Sequence, residues 1–269
     1  MKIILNKKKL IEVLNQEENI GFVPTMGAIH KGHGSLIKKS IKENNKTVVS
    51  IFINRPQFNK KYDFKKYPRV LNNDKRILKK LNVDYVFIPS EKEIYPKGVN
   101  KNIRVNKFKK KLCGEFRPNH FEAILDVIQR FINIINPKKI YLGQKDMQQL
   151  ILIKDYFKRN KIKTKVIGCK TIRQKNGVAL SSRNLLLNKN DQKIASKIYR
   201  IIKISKKKII QKRYSINFVK HKIFALGIKK IDYFKILDIN KIIKPYQEKT
   251  NKKIFIAYHL NSVRLIDNI

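Results

Sequence analysis

Residues 21–36, GFVPTMGAIHKGHGSL, decide how the rest of the chain is understood. Gly21-Phe22-Val23 is a short apolar run of the kind that forms a buried strand. Pro24 and Gly27 interrupt it, and a helical pattern starts near Gly34 and runs to about Asn44, with Leu36, Ile37 and Ile41 on one face. Between strand and helix lies His30-Lys31-Gly32-His33, a glycine flanked by imidazoles at the handover. In an open α/β sheet, ligands bind outside the carboxyl ends of strands. A helix N-terminus there presents N–H donors and a positive dipole end to phosphate oxygens. Gly32 lacks a side chain, so a phosphate can approach the backbone. A tight turn with two surface histidines is the alternative, and the strand-then-helix context favours the binding turn.

Working outward, residues 47–54, TVVSIFIN, are β-branched and apolar on both faces, as a central parallel strand requires. Further strands are expected at 20–23, 85–89, 139–142 and 163–169, and a strand followed by a helix within 3–15. Helices are expected over 70–81 and 121–135, the latter with Phe121, Ile124, Leu125, Ile128, Phe131, Ile132 and Ile135 on one face. Another runs to about Asn160, with Asp146 as a candidate cap. Strands alternating with helices imply a Rossmann-like, doubly wound parallel sheet of the α/β class. After Thr171 the pattern changes. A hairpin or irregular connection surrounds Asn176-Gly177, helices follow over 191–211 and 215–226, and short strands over 233–237, 254–260 and 263–266. The expected organisation is an α/β domain over 1–172 and a smaller α+β domain over 173–269.

The chain has 269 residues, 42% of them hydrophobic, enough for a substantial core. No apolar run approaches the roughly 18 residues of a membrane helix, and MKIILNK at the N-terminus is too short for a secretory signal. Cys113 and Cys169, far apart, suit a reduced cytoplasm rather than a disulfide framework. The net charge of +44 suggests a nucleic-acid binder. However, Lys far exceeds Arg, Ile and Asn are abundant, and the lysines spread along the whole chain, which is the mark of an AT-rich coding composition. Weak non-specific binding to nucleic acid follows from such charge; a specific nucleic-acid partner does not. There is no Walker loop, no GxGxxG and no zinc-ligand spacing. His120, beside Pro118 and Phe121, reads as a structural loop residue with a functional role as the alternative, and His221 and His259 as surface or satisfied histidines.

Four loops fall at strand ends: 25–33, 54–58, 143–149 and 180–183. Lys145 supplies a point charge for phosphate. Asp146 is a ribose or metal partner, or simply an N-cap. Gln149 lies about one helical turn further on, and Ser181-Ser182-Arg183 offers hydroxyls, amides and a guanidinium to a polyphosphate.

These blocks carry a resemblance. HxGH at the first strand-to-helix junction marks the nucleotidyltransferase superfamily. In order, FVPTMGAIHKGH (22–33), VVSIFIN-x-x-QF (48–58), KYPR (66–69), RP-x-HF (117–121), YLGQKDMQQL (141–150), LSSRN (180–184) and RLIDNI (264–269) resemble the pantothenate synthetase (pantoate–β-alanine ligase) family across nearly the whole chain. The resemblance implies that ATP and pantoate form pantoyl adenylate and pyrophosphate, and that β-alanine then gives pantothenate and AMP. It implies ATP binding by Met26, Gly27, Ala28, Ile29, His30, Lys31, Gly32 and His33, by Gly143, Gln144, Lys145 and Asp146, and by Leu180, Ser181, Ser182 and Arg183, with Ile172 at the adenine. His33 is the implied catalytic residue, Gln57 and Gln149 hold pantoate, and Gln57 also lies near β-alanine. Mg²⁺ would accompany ATP, the first domain would bind ATP and pantoate, the second would act as a lid, and the protein would be a homodimer. Residues 60–67 are a second candidate cover over the reactive intermediate. Gly34, Arg55-Pro56, Asn119, Glu122, Ala123 and Asp126 depart from the family pattern. Another adenylyl- or cytidylyl-transferase of the same fold would share HxGH without needing Gln57 and Gln149.

Overall fold

The computed structural model describes residues 1–242 and 252–269. Strand and helix alternate through the first two thirds: β1 (Lys2–Ile4), α1 (Lys7–Leu14), β2 (Ile20–Thr25), α2 (Lys31–Glu43), β3 (Lys46–Ile51), α3 (Lys61–Lys66), α4 (Leu71–Lys80), β4 (Tyr85–Phe87), α5 (Glu91–Ile94), α6 (His120–Ile135), β5 (Lys139–Gly143), α7 (Met147–Arg159) and β6 (Lys165–Cys169). These strands form one parallel sheet in the order β1-β4-β3-β2-β5-β6. From β2 the chain winds outward through β3 and β4, then returns to start β5 on the other side. The crevice between the carboxyl ends of β2 and β5 is therefore the topological switch point, where doubly wound sheets bind ligands.

Side chains alternate across this sheet. Phe22, Val48 and Ile140 point into a core shared with α1, α6 and α7, while Val23, Val49, Val86 and Tyr141 point to the opposite face, against α2 and α4. Burial on both faces explains why β3 is apolar without alternation. The apolar face expected for 121–135 is buried along its whole length in α6.

The remainder comprises α8 (Lys189–Ile210), α9 (Ile216–Phe224) and an antiparallel sheet of β7 (Lys230–Asp238), β8 (Lys252–Leu260) and β9 (Val263–Asn268). This sheet is buried on both faces. Phe234, Ile254, Ile256 and Tyr258 pack with α8 and α9, whereas Tyr233, Phe255 and Ala257 join the core of the larger sheet. The connection expected at Asn176-Gly177 is a tight turn, bridged by Arg173 and Ala179, with Gly177 at φ +90°.

Candidate active site

The turn after β2 is built from inside the fold. Thr25 Oγ1 donates to Ser50 O at 2.6 Å and accepts from the Gly27 N–H at 3.2 Å. Gly27 (φ +79°) and Ala28 (φ +49°) are both left-handed, which swings the chain out of the strand. The N–H groups of Ala28 and Ile29 donate to the buried Asp74 carboxylate of α4 at 2.9 and 2.7 Å. They anchor the loop, and with Gly27 they lie behind the cavity wall rather than on it.

Helix α2 begins at Lys31, three residues ahead of the start expected near Gly34. The reason is its cap: His30 Nδ1 accepts from the N–H groups of Gly32 (3.0 Å) and His33 (3.4 Å). A Cβ on Gly32 would lie 2.7 Å from His30 Cε1. Glycine is needed there so that the imidazole can fold back onto its own helix. The expected free approach of phosphate to the Gly32 amide gives way to this internal cap, and Lys31 is exposed at the helix start.

Since Nδ1 accepts, the His30 proton resides on Nε2. Burial, then Lys145, lowers the His30 pKa to about 4. Burial, then His30 and Lys145, holds His33 well below the usual imidazole value. The rings stack with centroids 4.0 Å apart. Both are neutral at pH 7, and the buried Nδ1 of His33 has no partner in the described structure.

At the end of β5, residues Gln144–Asp146 form a 3-10 turn leading into α7. Asp146 occupies the cap position of α7, yet its side chain makes no capping bond, contrary to the simplest sequence expectation; it is exposed on the cavity instead. Burial lowers the Lys145 pKa, with Asp146 and Asp267 opposing that effect. The backbone oxygens of Gln144 and Lys145 each accept from Asn268 Nδ2 at 2.8 Å, so β9 fastens this turn.

At the end of β3, Gln57 is held from several directions. Its Nε2 donates to Met26 Sδ at 3.0 Å, and its Oε1 accepts from Asn54 Nδ2 at 3.1 Å. Its backbone oxygen accepts from His120 Nδ1 (2.9 Å) and from an Arg117 terminal nitrogen (3.1 Å), while the other Arg117 terminal nitrogen meets His120 Nε2 at 3.0 Å. Burial, then Arg117, keeps His120 far below the usual imidazole pKa. His120 thus supports Gln57 as well as lining the cavity, more than a bland loop residue. Asn119 has φ +58°, a left-handed position where Asn is the tolerated substitute for Gly. At the departure Arg55-Pro56, the guanidinium stacks 5.0 Å from the Phe64 ring centroid and donates to Phe58 O at 3.3 Å.

The fourth loop closes the ring. Ser182 Oγ donates to Ala28 O at 3.2 Å, tying the loop to the turn after β2. Ser181 Oγ accepts from the Arg183 N–H at 3.3 Å. Arg183 pairs with Asp63 of α3, one terminal nitrogen lying 3.0 and 2.8 Å from the two carboxylate oxygens, and its guanidinium lies 5.4 Å from the centroid of the buried Tyr67 ring.

Together the loops enclose a cavity of about 740 Å³. Met26, His30, Gly32, His33, Gln57, Gly143, Lys145, Asp146, Gln149, Ile172, Leu180, Ser181, Ser182 and Arg183 line it; Gly27, Ala28, Ile29, Lys31 and Gln144 do not. Asn54, Asp63, Arg117 and His120, absent from the sequence-derived set, also line it, as do Asp232, His259 and Arg264 of the smaller sheet. The RP-x-HF block was the available signal for Arg117 and His120. Nothing local marked the pairing of Asp232 with His259 (3.1 Å) and Arg264 (2.7 Å), which only strand pairing brings about.

The family model for Pantoate-beta-alanine ligase matches residues 2–269. The chain belongs to the pantoate–β-alanine ligase family. It is similar to the pantothenate synthetase of Endomicrobium trichonymphae, 40% identical over all of this chain and 97% of that protein. It is 38% identical to that of Clostridium botulinum (strain Loch Maree / Type A3), over 98% of this chain and 96% of that one. Pantothenate synthetase from Thermus thermophilus superposes with a TM-score of 0.92 at 30% identity, covering 100% of this chain and 99% of the other. The Francisella tularensis pantoate-beta-alanine ligase, solved complexed with beta-gamma ATP and beta-alanine, superposes at 0.85 with 40% identity, covering 100% and 97%. Several of the signature blocks run through the loops just described, and among the described residues no helix is long and apolar enough to cross a membrane.

Proposed function

We propose that the chain catalyses the ATP-dependent condensation of (R)-pantoate with β-alanine to pantothenate. In the first step a pantoate carboxylate oxygen bonds to the α-phosphorus, the bond to the pyrophosphate oxygen breaks, and pyrophosphate leaves. In the second, the β-alanine nitrogen bonds to the acyl carbon, the acyl–oxygen bond breaks, AMP leaves, and the amine's surplus proton passes to solvent. The observation that carries this reading is the convergence of four strand-end loops on one cavity lined by Lys145, the histidine pair, Gln57 and Gln149.

Pantoate's carboxylate is ionised near neutral pH, so the first step needs charge stabilisation and alignment rather than a base. We assign His33 to catalysis as a neutral N–H donor to the developing charge at the α-phosphate, and His30, Lys145, Ser181, Ser182 and Arg183 to the phosphates. Gly143, Leu180 and Ile172 would form the nucleoside side. Gly27, Ala28, Ile29, Lys31 and Gln144 would act through the shape of the loops. Gln57 and Gln149 can bind pantoate's hydroxyls and carboxylate without adding charge, with Gln57 also near β-alanine.

Among the described residues no cluster of three metal-binding side chains occurs. Of the cavity's aspartates, Asp63 and Asp232 are paired with arginines, which leaves Asp146 as the carboxylate that suits a Mg²⁺ ion arriving with ATP. Such an ion would neutralise phosphate charge. Residues 1–172 would then be the ATP- and pantoate-binding domain and 173–269 the lid domain, in a cytoplasmic homodimer. The exposed Ile3 and Leu5 beside the edge strand β1 suit a contact between copies. The deciding assay is AMP release with ATP and pantoate, β-alanine added or withheld. Sustained AMP release should require both acids, and nucleotidyl transfer without pantoate would overturn the reading.

A further inference from the structure

The cavity's arginines are not equivalent. Arg183 is committed to Asp63 and Arg264 to Asp232. Arg117 has no carboxylate within ion-pair distance among the described residues; its two contacts are the neutral His120 ring at 3.0 Å and the backbone oxygen of Gln57 at 3.1 Å. Two of its five N–H donors are used, leaving three, enough for a bidentate carboxylate. Burial, with Arg183 and Arg264 nearby, brings its pKa down to about 10, so it remains charged at neutral pH. A partly buried guanidinium without a counter-ion is costly, and a bound anion removes that cost.

We propose that Arg117 anchors the carboxylate of the amino acid that attacks the acyl adenylate. The inference rests on the ligase reading above. The chemistry of the three anions separates them. The phosphates have Lys145 and the histidine-capped turn. Pantoate's carboxylate is the reacting group and loses its charge on adenylation, so a fixed cation clamping it would oppose the first step. The carboxylate of β-alanine keeps its charge throughout and does not react, so a permanent, partly buried cation suits it. Arg117 is also bonded to Gln57, the residue placed between pantoate and β-alanine. A fixed anchor sets the distance from carboxylate to attacking nitrogen, and thereby selects a β- over an α-amino acid.

The test compares β-alanine with β-alaninamide, which has the same amine and an uncharged carboxamide. It is combined with pantoate-dependent exchange of pyrophosphate into ATP, which needs no amine. The unmutated protein should prefer β-alanine by about a hundredfold in kcat/KM, the scale of a charge-assisted hydrogen bond in a buried site. Arg117→Gln should raise the β-alanine KM by about a hundredfold and erase the preference, while exchange falls less than about tenfold through loosening of Gln57. Arg117→Lys should restore part of the preference. A preference retained in Arg117→Gln, or a β-alanine KM unchanged while exchange is lost, overturns the anchor. Equal use of the two amines by the unmutated protein overturns it without any variant. Absence of pantoate-dependent exchange in the unmutated protein overturns the ligase reading itself, a separate outcome.

Discussion

His30 and His33 line the cavity as uncharged rings, one capping the helix that carries the other. A neutral imidazole donates a proton-bearing nitrogen without demanding a counter-ion, and its alignment is fixed before substrate arrives. Replacing His33 with Ala should lower kcat/KM by about a hundredfold to a thousandfold, with a melting temperature close to that of the parent. A near-normal rate would remove His33 from the mechanism. The depressed histidines also make stability depend on pH. The unfolded chain takes up imidazole protons below about pH 6.5, whereas folded His30 does so only near pH 4, and His33 and His120 resist likewise. The contribution of these histidines to stability is fully present above about pH 6.5 and is lost as pH falls toward the folded values. Thermal melts through that window should slope downward with acid, and His120→Gln should slope less; parallel curves would show that His120 is not held neutral.

At the scale of elements, α2 carries the site and one avoidable weakness. Gly34 sits inside it, where an added Cβ would meet only Leu81 Cδ1 at 3.8 Å, an ordinary contact. Gly34→Ala should therefore stabilise by about 0.5–1 kcal/mol through reduced freedom of the unfolded chain, measured by urea unfolding. Destabilisation would mean that α2 packs more tightly than its contacts indicate. The short helix α3 is held at the cavity by Asp63, which occupies the Arg183 guanidinium assigned above to the phosphates. If Arg183 binds the phosphates as proposed, it exchanges one anion for another, and hydrogen exchange in residues 60–67 should change when ATP and pantoate are added together. Identical protection with and without ligands would show that this segment is a fixed wall.

Over the whole molecule, the formal charge of +44 means mutual repulsion that the ion pairs of the described residues do not cancel. Salt screens such repulsion over a Debye length of about 10 Å at 0.1 M. The melting temperature should rise between about 10 mM and 300 mM salt, and a fall would show that ion pairs outweigh repulsion. Binding to RNA or DNA should be non-specific and vanish over the same range; selective binding that survives salt would give the charge a function.

The order of apolar and polar residues was sufficient for the parallel α/β sheet, because short apolar runs such as β3, buried on both faces, alternate with longer stretches of helical period such as α6. The spacing of the signature blocks also marked the loops around the cavity. Four features were not legible. The helix start depends on a ring folding back over Gly32, a close approach invisible in HxGH. The free carboxylate of Asp146 depends on a 3-10 turn held from β9, more than a hundred residues away. The amides of Ala28 and Ile29 are taken up by Asp74, from a helix further along the chain. Likewise, which of the cavity's arginines are neutralised and which one has no acid partner among the described residues is a matter of side chains meeting across sheets. Local sequence sets the elements and the chemistry available at their ends. Strand order and long-range packing decide which of those groups are already spent on holding the fold and which remain free to bind.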